Sequence, residues 1–190
     1  PTYKLGEGVL EEVDEIENPS VKASQIAHAT QEHLNPRENQ NPRYKRLSER
    51  VTDIVERWQG GDIADPDAVE ALQSVEEEIL EVEEEAEEQG MTDSEFAIYT
   101  HLTEETPESI ESDEQAEAVA DEIVEQFYDR VDHGFVGWRT NQQTIGEIER
   151  ILLDVLVVEY DLGDLIDDEF VDTVREYLIQ NHEATVDHYE

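Results

Sequence analysis

Six histidines and 52 carboxylates are the residues of this chain that could do chemistry, as general acids and bases or as metal ligands. The histidines are His28, His33, His101, His133, His182 and His188. None opens an HExxH, where two imidazoles one helical turn apart share a zinc ion. None closes an ExxH of the di-iron bundle kind. His28/His33 and His182/His188 lack the i,i+4 spacing that puts both rings on one helical face. With so many carboxylates, an acid near any histidine carries no information. A catalytic carboxylate is marked by desolvation and a perturbed pKa, which spacing does not reveal. A carboxylate/His metal-dependent enzyme therefore stays open as one alternative. The nine glycines form neither GxGxxG nor GxxxxGK[ST], so no phosphate cradle is expected, and Gly6 and Gly8 read as a hinge or loop. No serine sits in a GxSxG elbow. There are no cysteines, which excludes disulfides and thiolate metal sites and suits a reducing cytosol. The expectation is no catalytic, cofactor-binding or metal residue in these 190 residues.

Two local features fit recognition instead. Arg37, Arg43, Lys45, Arg46, Arg50 and Arg57 are six of the twelve bases in the chain. They suit an acidic partner surface or a phosphate backbone, or internal pairing with the Glu-rich stretch from Val69 to Gln89. Phe135, Trp138 and Arg139 lie in a glycine-flanked turn, HGFVGWRTN. Trp and Arg are enriched at binding hot spots, although aromatics in such a turn also plug cores. Arg43, Arg46, Arg50, Phe135, Trp138 and Arg139 are the candidate partner-binding residues.

The background to both features is charge. Twelve bases against 52 acids give −40 at pH 7. At low salt such a chain repels itself; at molar salt the Debye length is roughly 3 Å and most of that repulsion is screened. The composition therefore suggests the cytoplasm of a salt-accumulating organism. High charge is also the signature of disorder, but 37% of residues are hydrophobic and periodically spaced. A DNA mimic would need its carboxylates in one stripe, whereas here acid occurs in almost every segment. It remains an alternative, as does a generic acidic interaction module. No apolar run approaches the roughly 20 residues of a membrane span, and no signal peptide is present. A chain opening at Pro1 without methionine suggests a piece of something longer.

The elements that must position these residues read as helices almost throughout. Val9, Val13 and Ile16 have helical spacing in a weakly patterned acidic segment. Pro19 starts a helix that ends before Pro36 and carries Val21, Ile26 and Ala27 or Ala29. Asn41 caps a helix with Pro42 at its first position, a face of Leu47, Val51, Ile54, Val55 and Trp58, and a stop at Gly60-Gly61. Pro66 opens a long helix with Val69, Leu72, Val75, Ile79, Val82 and Ala86 near heptad spacing, capped by Gly90. Thr92–Glu95, Ser112–Gln115 and Thr144–Glu147 match capping boxes. They open helices carrying Phe96 to Leu102, Val119 to Val131, and Ile148, Ile151, Leu152, Val155, Leu156 and Val158, the last ending at Gly163. A final helix spans about Asp167 to Gln180, and the weak strand alternative lies within Val155 to Tyr160. The fold class expected is all-α, a bundle of about six to eight helices, with two small lobes as one arrangement. The segments are 1–34, an N-terminal helical piece ending a linker; 35–103, a helical hairpin region; and 112–190, a C-terminal helical region.

The run HATQEHLNPRENQNPRYKRLSERVTDIVERW, the Glu-rich helix after it, and EEEAEEQGMTDSEFAIYTHL together resemble the C-terminal helical region of the restriction (R) subunit of type I restriction–modification enzymes. The matching positions are His28, His33, Pro42, Leu47 to Arg50, Gly90, Met91, Thr92, Glu95, Phe96, Ala97, Ile98, Tyr99 and Leu102. Val136 to Arg139 and Ile151 to Tyr160 follow at corresponding places, so the likeness covers about residues 25–162. Gly137 replaces the family's acid, and Leu153 to Val158 lacks its usual bases. The resemblance implies a non-catalytic assembly domain. Its parent would be an ATP- and Mg-dependent DNA translocase and endonuclease with its motor and nuclease motifs N-terminal to this region. Its partners would be the methyltransferase and specificity subunits, with DNA reached only through the parent protein and no membrane involved.

Overall fold

The computed structural model describes residues 16–189. Val9, Val13 and the Gly6/Gly8 pair lie outside the described residues. Among the described residues there are eight α-helices and no strand, an all-α architecture. The described residues divide into two compact units: those up to Glu38 with Arg43–Glu88, and Asn39–Pro42 with those from Gln89 onward.

In the first unit, α1 (Pro19–Leu34) begins where Pro19 loses nothing by lacking an N–H, and the Asn18 side chain accepts from Ser20 N at 3.0 Å. It buries Ala23, Ile26, Ala27, Ala29 and Leu34, while Val21 is exposed. α2 (Pro42–Gln59) buries Leu47, Val51 and Ile54. α3 (Asp65–Gln89) buries Ala68, Leu72, Val75, Ile79 and Val82 at the expected three- and four-residue steps. The Trp58 indole N–H donates to Asp65 at 2.8 Å, joining the end of α2 to the start of α3. Gly90 then takes φ +67°, the left-handed conformation its position after α3 calls for.

The second unit is built on α4 (Asp93–Thr100), α5 (Asp113–Arg130), α6 (Gln142–Leu153), α7 (Asp168–Gln180) and α8 (His182–Tyr189). Thr92 and Glu95 form the full reciprocal capping box at α4. At α5 the box is shifted: Ser112 caps Gln115 N at 3.2 Å, but the Gln115 side chain accepts from Glu111 N. At α6 the Thr144–Glu147 box is not used. Asn141 caps Gln143 N at 2.8 Å instead, and Thr144 is buried inside the helix.

Two helices end in π-helical turns, His101–Glu105 after α4 and Asp154–Glu159 after α6. The second occupies the stretch where a strand was the alternative. It ends the helix before Gly163, which starts a short 3₁₀ turn, Gly163–Leu165. Its wider winding also turns Val158 outward to 78% exposure, where an unbroken α-helix would hold it beside the core face. α8 lies beyond the last helix that sequence periodicity indicates. Phe127, Leu102, Ile123, Ile148, Ile151, Leu152 and Leu156 are fully buried at the centre of this unit, with Phe170, Val174, Tyr177 and Leu178 of α7 closing the cluster.

Candidate functional site

Part of the basic segment pairs within its own unit, while Lys45, Arg46, Arg50 and Arg57 keep exposed surface. Arg43 makes a two-pronged contact with Glu85 of α3, and Arg50 pairs with Glu78 and reaches Ser74 Oγ at 3.3 Å. Arg57 lies 3.5 Å from Asp53, and Arg37 donates to the His33 carbonyl at 2.7 Å. Arg46 is exposed and also engaged within the molecule. α2 thus meets the Glu-rich face of α3 as internal counter-charge. His33 of α1 joins the same helix, its Nε2 2.9 Å from Glu83 Oε1. Burial, reinforced by Arg37, holds this imidazole below its ordinary pKa despite the Glu83 carboxylate.

In the second unit Trp138 is only 4% exposed and fills the space beside Phe127 and His182, at ring distances of 6.0 and 4.8 Å. The surfaces this turn leaves open are Phe135, the fully exposed Val136 and the Arg139 guanidinium. Arg139 lies over the Trp138 ring at 4.8 Å and 3.8 Å from Glu183. Gly137, at φ +90°, is what lets the chain turn between the exposed tip and the buried indole.

Around Trp138 the fold gathers an aromatic and histidine cluster that the sequence does not announce. Tyr128 is stacked between His182 and Tyr189, at 5.7 and 4.7 Å, and its hydroxyl meets His182 Nδ1 at 3.0 Å. His133 Nδ1–H donates to the Val131 carbonyl at 3.0 Å. Burial raises the Tyr128 and Tyr189 phenols, and the Tyr189 hydroxyl donates to the Glu95 carboxylate that also closes the α4 cap. The cluster draws on α5, the following turn and α8, so it depends on residues 182–189 being helical.

His101 lies at the start of the first π turn, its Nδ1 3.2 Å from the Tyr177 hydroxyl and its ring edge-on to Phe170 at 5.4 Å. Burial lowers its pKa, with Glu105 and Glu169 opposing. It faces an open cleft of about 340 Å³ rimmed by Glu105, Glu108, Asp164, Asp167 and Glu169. A second open cleft, of about 400 Å³, is lined by Gly90, Glu95, Glu117, Asp121 and His188. Burial, with Glu95 and Glu122, raises Asp121. Both rims are acidic and would repel a phosphate. Among the described residues no group of three or more His, Asp or Glu is placed to hold a metal ion, and no helix is long and apolar enough to cross a membrane.

A family model described as "Type I restriction enzyme HindI endonuclease subunit-like, C-terminal" matches residues 3–179. A Methanocaldococcus jannaschii protein named "Putative type I restriction enzyme MjaIXP endonuclease subunit" is 24% identical over 179 residues, 90% of this chain and 17% of its own length. No solved structure matches. The chain belongs to the family of C-terminal regions of type I restriction enzyme endonuclease subunits. It spans 17% of the length of the curated relative it matches.

Proposed function

We propose that this chain is the assembly region of its parent endonuclease subunit, docking an ATP-dependent translocase and nuclease onto the methyltransferase–specificity core. The observation that carries the reading is family membership as a subunit's C-terminal region. The internal use of the chemistry-bearing residues supports it. Arg43 and Arg50 of α2 pair with α3, Trp138 and His182 fill a core, and the clefts beside His101 and His188 are acid-rimmed. Of the candidate partner residues, Phe135, Arg46, Arg50 and Arg139 keep exposed surface for such docking, while Arg43 and Trp138 shape the units that present it. Assembly requires a stable scaffold and an exposed recognition face, not a reacting centre. The acidic coat suits this work in strong brine inside the cell, where screening removes its self-repulsion.

Retention of the full-length endonuclease subunit on immobilised methyltransferase–specificity complex in molar salt is the test. Stable retention is expected. Failure to associate with either subunit, at every salt concentration, would overturn the reading.

A further inference from the structure

The outward faces of two neighbouring helices in the second unit differ sharply. α5 exposes seven residues, and six of them, Asp113, Glu114, Glu117, Asp121, Glu125 and Asp129, are acids. The last third of α6 and its π turn instead expose Leu153 (47%), Val157 (43%) and Val158 (78%) among Glu149, Arg150, Asp154 and Glu159. Isolated surface apolar residues need no explanation. Three side by side, in a chain that turns most other solvent faces acidic, do.

The backbone supplies a second observation. In a π turn residues five apart are one turn apart, so the winding from Asp154 to Glu159 sets Val157 and Val158 on either side of Leu153. An unbroken α-helix would separate Leu153 from Val158. The distortion therefore assembles the apolar patch, and π turns recur at functional sites.

We infer that this Leu153–Val157–Val158 face is the docking surface of the assembly region, and that its occupant is a helix of a partner subunit with an apolar stripe flanked by lysine or arginine. This rests on the docking role proposed above. The occupant follows from charge. Glu149 and Glu159 rim the patch, Asp154 between them is paired with Arg130 at 2.8 Å, and the bases beside it are engaged by Glu147, Arg150 at 3.3 Å and Arg130 at 2.7 Å. A second copy of the chain, related by a two-fold axis, would oppose this acidic rim to itself. A helix laid along the patch with cations at its edges meets both the apolar centre and the rim.

The experiment uses the full-length endonuclease subunit and its methyltransferase–specificity complex. Leu153→Glu with Val157→Glu, both at exposed positions, should leave helicity and unfolding temperature unchanged and weaken association by about 30-fold or more, as loss of a hot spot does. Glu149→Lys with Glu159→Lys should slow association, with the effect shrinking as salt rises. A photo-crosslinking residue at position 157 should link to a basic helix of a partner subunit. Wild-type affinity in the Leu153/Val157 double variant, with wild type itself binding, overturns this surface and leaves the docking role standing. Failure of wild type to bind overturns both. A crosslink to a second copy, or to another part of the same chain, overturns the assigned occupant.

Discussion

The two units solve the same problem with different materials. The first has a small aliphatic interior of Ala, Val, Leu and Ile from α1, α2 and α3, tied at its edges by Arg43–Glu85, Arg50–Glu78 and His33–Glu83. The second buries Phe96, Phe127, Trp138, Phe170 and Tyr177, and its ion pairs are peripheral to that core. A −40 chain thus distributes its few cations unevenly. In the first unit bases reach from one helix to the glutamates of another beside a small interior; in the second the ion pairs lie outside an aromatic core, and the acidic coat gives way at Phe135–Val136 and at the end of α6.

Emptying the aromatic core should cost the molecule most. Phe127→Ala should cost about 3–5 kcal/mol, read from chemical denaturation, because a fully buried ring leaves a cavity its neighbours cannot fill. A loss below about 1 kcal/mol would mean that this core is not what holds the second unit. In the first unit Ile79→Ala should cost about 2–5 kcal/mol by the same measurement, with a smaller cavity than Phe127 leaves. Smaller still is Arg50→Ala. Both partners of this pair are more than a third exposed, so the loss should stay below about 1 kcal/mol and fade in molar salt. A salt-independent loss of several kcal/mol would show that the pair acts as a buried one.

The smallest expected effect is on pH dependence. Burial lowers the folded pKa of His101 below its ordinary 6.5. The unfolded chain then binds the proton more readily, so stability is full above about pH 6.5 and declines as pH falls through the lowered folded value. His101→Gln should flatten that decline while keeping a hydrogen-bonding group near Tyr177. An unchanged slope between wild type and variant would place the origin of the acid sensitivity elsewhere, with His33, shifted the same way, the next residue to replace.

Much of the helical framework was legible because its signals are local. The spacing of Leu72, Val75, Ile79 and Val82, the Thr92–Glu95 box and the left-handed Gly90 all act within a few residues. Thr144–Glu147 misled because Asn141 offers a cap three residues earlier, and the longer helix buries Thr144. Gly163 misled because π winding ends the helix first, and winding that bonds each residue five back has no spacing signature of its own. α8 was illegible because NHEATVDHY is polar and short; its helix depends on Tyr128 and the packing of His182 and Thr185. The candidate recognition residues were legible by type but not by role. A Trp–Arg pair reads alike whether the indole points in or out, and only the Gly137 turn decides that it points in. The exposed Leu153 and Val157 were masked by the richly apolar helix around them.

The proposed docking of the endonuclease subunit through this region is read out as affinity for the methyltransferase–specificity complex. Calorimetric titration should compare the full-length endonuclease subunit with a version lacking the positions equivalent to residues 19–189, at matched high salt. Measurable binding is expected for the intact subunit and none for the truncated one. Equal affinity of the two would contradict docking through this region.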